Sequence, residues 1–452
     1  IEGFPIGTDE AILALSDPPY YTACPNPFIE EWLEENAKPF DPATDDYHRE
    51  PFAADVSEGK NDPIYKAHSY HTKVPHKAIM RYILHYTEPG DVVYNGFCGT
   101  GMTGVAAQMC GNPDPELKHK IESEFTTNGL EKPVWGARKA ICGDLSPIAS
   151  FIAYNYNTPV DMQAFEREAK RILKEVEDEC GWMYETTHTD GKTEGKINYT
   201  VWSDVFVCPD CMQEVIFWDA AVDKEAGLVK DEFPCPHCGA MLNKRRMQRA
   251  WVSKYDNAIK ETVRQAKQVP VMINYTVGTT RAEKKPDDFD LALIEKIEES
   301  EIPYWFPTSP IPKGDKTGEP LRIGITHVHH FYTKRNLWVL TKYFAALSTS
   351  ILREQLIPIL TGGLLGLTKL QRFKPKTTFP NMILSGTLYV GSLEREWRAD
   401  QWLNGKSRTF NRALSSRRIR STIETRSSNL LDIPSASYSY IFTDPPFGGN
   451  LM

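Results

Sequence analysis

Three groups of residues have types and spacings that could do chemistry. The first is Tyr94 to Gly104, Y-N-G-F-C-G-T-G-M-T-G, with glycines at 96, 99, 101 and 104. Asp91 to Tyr94 reads as a short buried strand and Thr103 to Cys110 as the helix after it. A strand turning through glycines into a helix brings backbone N–H groups and the helix's positive end against a ligand. No Gly-Lys-Ser/Thr follows, so this is not a nucleoside-triphosphate loop, and an ordinary strand–turn–helix corner is the alternative. The second group is Cys208-Pro-Asp-Cys211 and Cys235-Pro-His-Cys238, two C-x-x-C pairs at ribbon spacing. Four thiolates favour a structural zinc ion, with an iron–sulfur site or redox pair as alternatives; a filled four-thiolate shell leaves no open position for catalysis. The third is Asp444-Pro445-Pro446-Phe447, directly after a strand-like Tyr438 to Thr443.

Around these groups the chain supplies positioning elements. His76 to Tyr86 has helical spacing and leads into the glycine loop, so the preceding Tyr70-His-Thr72-Lys73-Val-Pro75 can wall the same pocket. Residues 112–134 read as a surface insertion. Ala140 to Gly143 reads as a second strand ending in Asp144, with Ser146 as cap and Pro147 opening a helix. A carboxylate there is where an α/β cofactor fold grips ribose hydroxyls, the alternative being a surface acid beside a helix cap. Asp17-Pro-Pro-Tyr20 is a second copy of the acid–proline motif, but Asp9 to Leu15 before it reads as a helix rather than a strand. His327 and His329 would share one face of a strand, a candidate metal pair with no third ligand evident nearby. Lys334 and Arg335 fall in a first helical turn, where cations oppose the helix dipole and an anion such as phosphate would relieve the conflict.

At 452 residues roughly three units are expected. The composition is that of a soluble protein, 41% hydrophobic and 25% charged. The apolar run Ile351 to Leu370 is broken by Arg353, Glu354 and Lys369, so no membrane span is expected. The start has no signal-peptide pattern, and nine cysteines with two metal-type pairs suit a cytoplasmic chain. Ile1 rather than Met opens the sequence, so it need not be the natural one end to end. Net charge is −8, yet 361–426 carries thirteen Lys/Arg against four Asp/Glu, a local +9 that leaves −17 elsewhere. Arg372, Lys374, Arg417, Arg418 and Arg420 lie there among aromatics such as Phe373, Trp397 and Phe410. Charge for a backbone and rings for bases make this a candidate nucleic-acid surface, joined by Lys334 and Arg335.

Together the glycine loop, the acid after strand two and the D-P-P-F motif resemble the amino-DNA methyltransferases, S-adenosylmethionine-dependent enzymes that methylate adenine N6 or cytosine N4. N-G-F-C-G-T-G-M-T-G resembles their cofactor loop, H-T-K-V-P their cofactor-wall motif and T-D-P-P-F their catalytic motif. The likeness covers about 65–160 and 425–452, with target recognition expected between the two halves. It implies an α/β fold: a Rossmann-like methyltransferase sheet split by a long insertion with a four-cysteine zinc ribbon, plus a basic α+β region. The expected divisions are 1–60 as an N-terminal extension, 61–160 as the cofactor half, 161–360 as the insertion with its ribbon at about 198–245, 361–426 as the basic region, and 427–452 as the start of the catalytic half.

The resemblance further implies that Thr72, Lys73, Asn95, Phe97, Gly99, Gly101 and Asp144 bind S-adenosylmethionine. Asp444 and the Pro445 carbonyl would accept hydrogens of an exocyclic amine, with Pro446 completing the motif and Phe447 stacking on a base flipped from DNA. Asp at the motif's first position leans toward adenine N6; cytosine N4 is the alternative, as is a non-catalytic DNA-binding subunit. A role in restriction–modification or phage defence follows from the class. Two departures stand out: the family usually carries an acid where Asn95 stands, and Ser427-Ser428-Asn429 occupies a zone where another acid is common. The family needs strands beyond D-P-P-F, so a continuation past Met452 or a second chain completing the sheet is expected.

Overall fold

In this computed structural model the described residues are 26, 28–70, 73–377, 383–384, 386–415, 421–426 and 436–443. The chain divides into two compact units, 1–166 with 407–452, and 167–406.

The first unit is built on a parallel sheet of β1 (Val92–Asn95), β2 (Lys139–Asp144), β3 (Thr422–Thr425) and β4 (Tyr440–Ile441), in the order β3-β2-β1-β4. Val93 pairs with Ala140 on one side and with Tyr440 on the other. Every residue of β1 is buried, as expected of a parallel strand covered on both faces. Helices of this unit among the described residues include α1 (Ile29–Asn36), α2 (Pro63–Ala67), α3 (His76–Tyr86), α4 (Met102–Met109), α5 (Pro115–Thr127) and α6 (Pro147–Asn157).

Apolar spacing assigns each helix its buried face. In α3, Ile79, Met80, Ile83 and Leu84 are buried, with Pro75 immediately before the first turn. Helix α5 corrects the reading of 112–134 as a surface insertion. Asp114 caps it by accepting the N–H groups of Glu116 and Leu117, and Leu117, Ile121 and Phe125 recur every four residues on a buried stripe. Helix α1 is likewise part of the unit: Ile29 and Leu33 pack on Val92, Tyr94 and Ile141. Burial of two such side chains contributes about 1.5–3 kcal/mol each. The Asn26 amide adds a 3.0 Å hydrogen bond to the Ile423 carbonyl, fixing the chain before α1 to β3. Tyr440 stacks on Tyr86 and Tyr438 on Tyr94, so β4 is held through rings despite its two-residue ladder.

The second unit centres on the long strand Glu194–Val207. It pairs antiparallel with Gln268–Val277 along one edge and Leu393–Trp397 along the other, with Glu185–Thr187, Glu214–Ile216 and Gln248–Arg249 at its ends. Because Leu393–Trp397 is a strand of this sheet, the 361–426 stretch is not a unit of its own; its last twenty residues belong with the first unit. A separate hairpin joins Trp251–Asp256 to Glu261–Ala266. No helix among the described residues is long and apolar enough to cross a membrane.

Candidate cofactor cleft and metal centre

The glycine loop leaves the C-terminal end of β1 and is tied at three points. The Cys98 N–H donates to the Gly143 carbonyl at 2.9 Å, holding the loop to β2. Asn95, buried at the end of β1, accepts the Phe97 N–H at 2.9 Å and donates to Thr103 Oγ1 at 2.7 Å, joining strand to helix across the turn. Gly99 and Gly101 take φ of +52° and +72°. Gly101 needs both that conformation and its missing side chain, since a Cβ would lie 2.6 Å from Asn157 Nδ2 and 2.7 Å from Ala153 Cβ. Phe97 stands exposed at the loop's rim.

Asp144 closes the cleft from β2. One carboxylate oxygen accepts the Gly99 N–H and the other the Ser146 N–H, both at 2.9 Å. Burial pushes its carboxyl above the usual value, while N–H groups of Ser146, Gly99 and Leu145 pull the other way. Ser146 sits at the N-cap position of α6, where its side chain makes no capping bond. Each Asp144 oxygen keeps a lone pair for a further donor such as a ribose hydroxyl.

Tyr70 of the wall segment joins this cleft, together with Asn157 and Glu424, which escape the sequence reading. The Tyr70 ring lies 3.5 Å from where a Gly99 Cβ would stand, with Ser146 near its hydroxyl. Burial and then the Asp144 charge hold the Tyr70 phenol protonated beyond its ordinary range. Asn157, at the end of α6, donates to the Gly101 carbonyl at 3.0 Å and accepts from Gln108, pinning the first turn of α4. Glu424, paired with Gly143 across β3 and β2, is fully buried. Neither of its carboxyl oxygens has a hydrogen-bond partner among the described residues. Burial pushes its carboxyl up to about 7 against the pull of Arg426. In sequence Glu424 stands three residues before Ser427, where the resemblance leads an acid to be sought. Only an acid set among β-branched residues in T-I-E-T marks it.

Lys73, read from sequence as a cofactor-wall residue, turns its ammonium to backbone carbonyls of its own unit. Its ammonium bonds the carbonyls of Tyr65 and, at 2.6 Å, His68, at the end of α2. Thr72, Asp444, Pro445, Pro446 and Phe447 lie outside the described residues, as does Asp17-Pro-Pro-Tyr20. The strand leading to Asp444 is described: Phe442 N–H bonds the Tyr94 carbonyl at 2.9 Å, and β4 runs parallel to β1 toward the same edge as the glycine loop. Successive strands step from β1 to β2 to β3, and the chain then returns to the other side of β1. That reversal makes the C-terminal ends of β1 and β4 a switch point, where open parallel α/β sheets take their ligands.

Such a sheet with a glycine loop and a β2 acid defines the class of nucleotide-type cofactor folds. Residues 30–113 match the family model described as DNA methylase, the kind of enzyme that the sequence motifs resemble. S-adenosylmethionine is the cofactor expected of that family and DNA its expected substrate. No curated protein and no solved structure matches the chain.

In the second unit, the Sγ atoms of Cys208, Cys211, Cys235 and Cys238 all lie within 4.8 Å of one another. The 208–238 and 211–235 separations are 3.9 and 3.8 Å. A tetrahedral ion with bonds of about 2.3 Å to sulfur sets its ligands about 3.8 Å apart, so the four thiols fit one zinc-sized ion. Two tight turns build the cage. Met212 N–H returns to the Cys208 carbonyl and Gly239 N–H to that of Cys235, with Met212 and Gly239 at positive φ. After the first knuckle a short strand, Glu214–Ile216, passes into a short helix, Phe217–Ala221, whose Phe217 and Trp218 fill the core beneath.

The nucleic-acid candidates separate. Arg335 is removed from that surface: its guanidinium is buried, paired with Glu396 and bonded to Thr200 Oγ1 at 2.7 Å. The charge conflict at the start of Lys334–Leu347 is thus met by an internal carboxylate rather than a phosphate. Lys334 Nζ bonds the Glu298 carbonyl at 2.5 Å. Arg372 sits half-buried at a bridge to Glu394, and Lys374 is exposed. Arg417, Arg418 and Arg420 lie outside the described residues.

Proposed function

We propose that the chain is a site-specific DNA methyltransferase acting on adenine N6 of a flipped base, with the cofactor held at the β1–β4 switch point. The observation that carries this is the placement of the glycine loop, Asp144 and the end of β4 at one edge of a parallel sheet whose strand order reverses there. Bound S-adenosylmethionine would supply an electrophilic sulfonium methyl. Gly99 and Gly101 give the loop the positive-φ turn that shapes the cofactor's seat, Asp144 accepts ribose hydroxyls, and Phe97 flanks the adenosyl part. Thr72 and Asn95 stand on the methionine side of the reading, with Lys73 holding that wall to α2 rather than touching the ligand.

Asp444, three residues past the end of β4 in sequence, and the Pro445 carbonyl would accept the hydrogens of the target amine, localising its lone pair. Pro446 stiffens the turn and Phe447 stacks on the base. The four-cysteine cage would hold zinc and fold the ribbon. Lys374, Arg372 and the arginines at 417, 418 and 420 would meet DNA phosphates. A cytoplasmic restriction–modification or phage-defence role goes with that activity.

A second reading, a non-catalytic DNA-binding subunit, draws on Asn95. Its side chain is already spent on Phe97 and Thr103, so it does not stand in for the family's acid. The test is methyl transfer from labelled cofactor to random duplex DNA, followed by digestion and mass spectrometry of the nucleosides. N6-methyladenine is expected. N4-methylcytosine would overturn the base assignment, and no transfer would favour the non-catalytic reading.

A further inference from the structure

The strand expected to align His327 with His329 is a 3₁₀ turn, Val328–Phe331, and that turn brings a different pair together. The Nε2 atoms of His329 and His330 each lie 2.8 Å from the same oxygen, Oδ2 of Asp256. Asp256 ends the Trp251–Asp256 strand, too far away in sequence for the histidine motif to reveal it. The three ligand atoms lie within 4.8 Å of one another. His329 and His330 are 7% and 5% exposed, so this is an interior cluster rather than a chance surface grouping. The other Asp256 oxygen accepts the Ala258 N–H at 2.9 Å, which fixes the carboxylate with Oδ2 toward both rings. Ligating carboxylates and imidazoles are oriented by such outer partners.

We propose that Asp256, His329 and His330 bind one divalent first-row transition ion, separate from the four-cysteine site. Two imidazoles and a carboxylate select zinc, cobalt, iron or manganese over calcium or magnesium. On binding, each ring shifts its Nε2 proton to Nδ1 and stays neutral, so no net charge leaves the rings. For His330 the new Nδ1–H faces Thr326 Oγ1 at 3.3 Å. The Thr326 N–H, also 3.3 Å from that nitrogen, favours the opposite tautomer and is the contact that metal binding must displace. His329 Nδ1 is buried with no hydrogen-bond partner among the described residues, whichever proton it carries, and Phe306 packs against its ring. With bonds of about 2.0–2.1 Å, ligand atoms stand roughly 3.3 Å apart, so the 2.8 Å contacts need open by only about half an ångström. Both imidazoles are buried, which suits an ion held for structure. Its work is to clamp the turn of the 251–266 hairpin to the segment that opens helix Lys334–Leu347.

Metal content of the full chain, dialysed against micromolar zinc and then metal-free buffer, tests this. Two equivalents per chain are expected. Asp256→Asn, which keeps the size and hydrogen-bonding capacity of the side chain, should lower this to one. Cobalt titration of the wild type gives a second readout: the first equivalent should bring the thiolate charge-transfer band of the four-cysteine site. A second should add ligand-field absorption without that band. A single equivalent in the wild type, or two retained in Asp256→Asn, would overturn the proposal.

Discussion

Glu424 is a buried carboxyl whose oxygens find no hydrogen-bond partner among the described residues. A carboxyl held up to about 7 by burial binds its proton in the folded chain where the unfolded chain has released it. Between the ordinary Glu value of about 4.3 and pH 7 the folded state therefore carries more protons, so stability falls as pH rises through that window. Above pH 7 the full cost, up to roughly 3 kcal/mol, is in place. Glu424→Gln should remove that slope and leave the variant more stable than wild type at pH 8, with little difference at pH 4. Denaturant melts at the two pH values check it, and an equal shift at both would mean that Glu424 acts through packing alone. Asn95 teaches the opposite lesson. Read from sequence it is a missing acid, whereas in the fold it is a bracket between β1 and α4, a role that residue type alone does not display.

Elements are legible where a local pattern has one physical cause. The glycine loop, β2 ending at Asp144 and the two cysteine knuckles all follow from short spacings, and the structure places them as read. Helix α5 is hidden because its insertion-like start, N-P-D-P, conceals an Asp114 cap and an apolar stripe that begins only at Leu117. Arg335 looks like a surface cation because its partner, Glu396, lies on a strand 61 residues away. Distance in sequence likewise hides Asp256 from the histidines and Asn157 from Gly101. For the ribbon, Cys211→Ser should release most of the zinc and unfold about 198–245, because the turns around 208 and 235 close only on a shared ion. Zinc analysis with circular dichroism measures it, and a variant that keeps both metal and fold would remove Cys211 from the site.

At the scale of the molecule, the parallel sheet is assembled from two distant stretches, with 167–406 inserted between β2 and β3. The order β3-β2-β1-β4 cannot be read from any one segment. It emerges only when 421–443 returns to both sides of the β1–β2 pair. That return gives the glycine loop and the D-P-P-F strand a common edge, on which the whole functional account rests. Calorimetric titration of S-adenosylmethionine into the wild-type chain and into Asp144→Ala tests it most directly. The account predicts one cofactor per chain, with affinity in the variant weaker by about 1–3 kcal/mol, the scale of hydrogen bonds lost to a charged group. Absence of binding to the wild type, or equal affinity in the two, would contradict it.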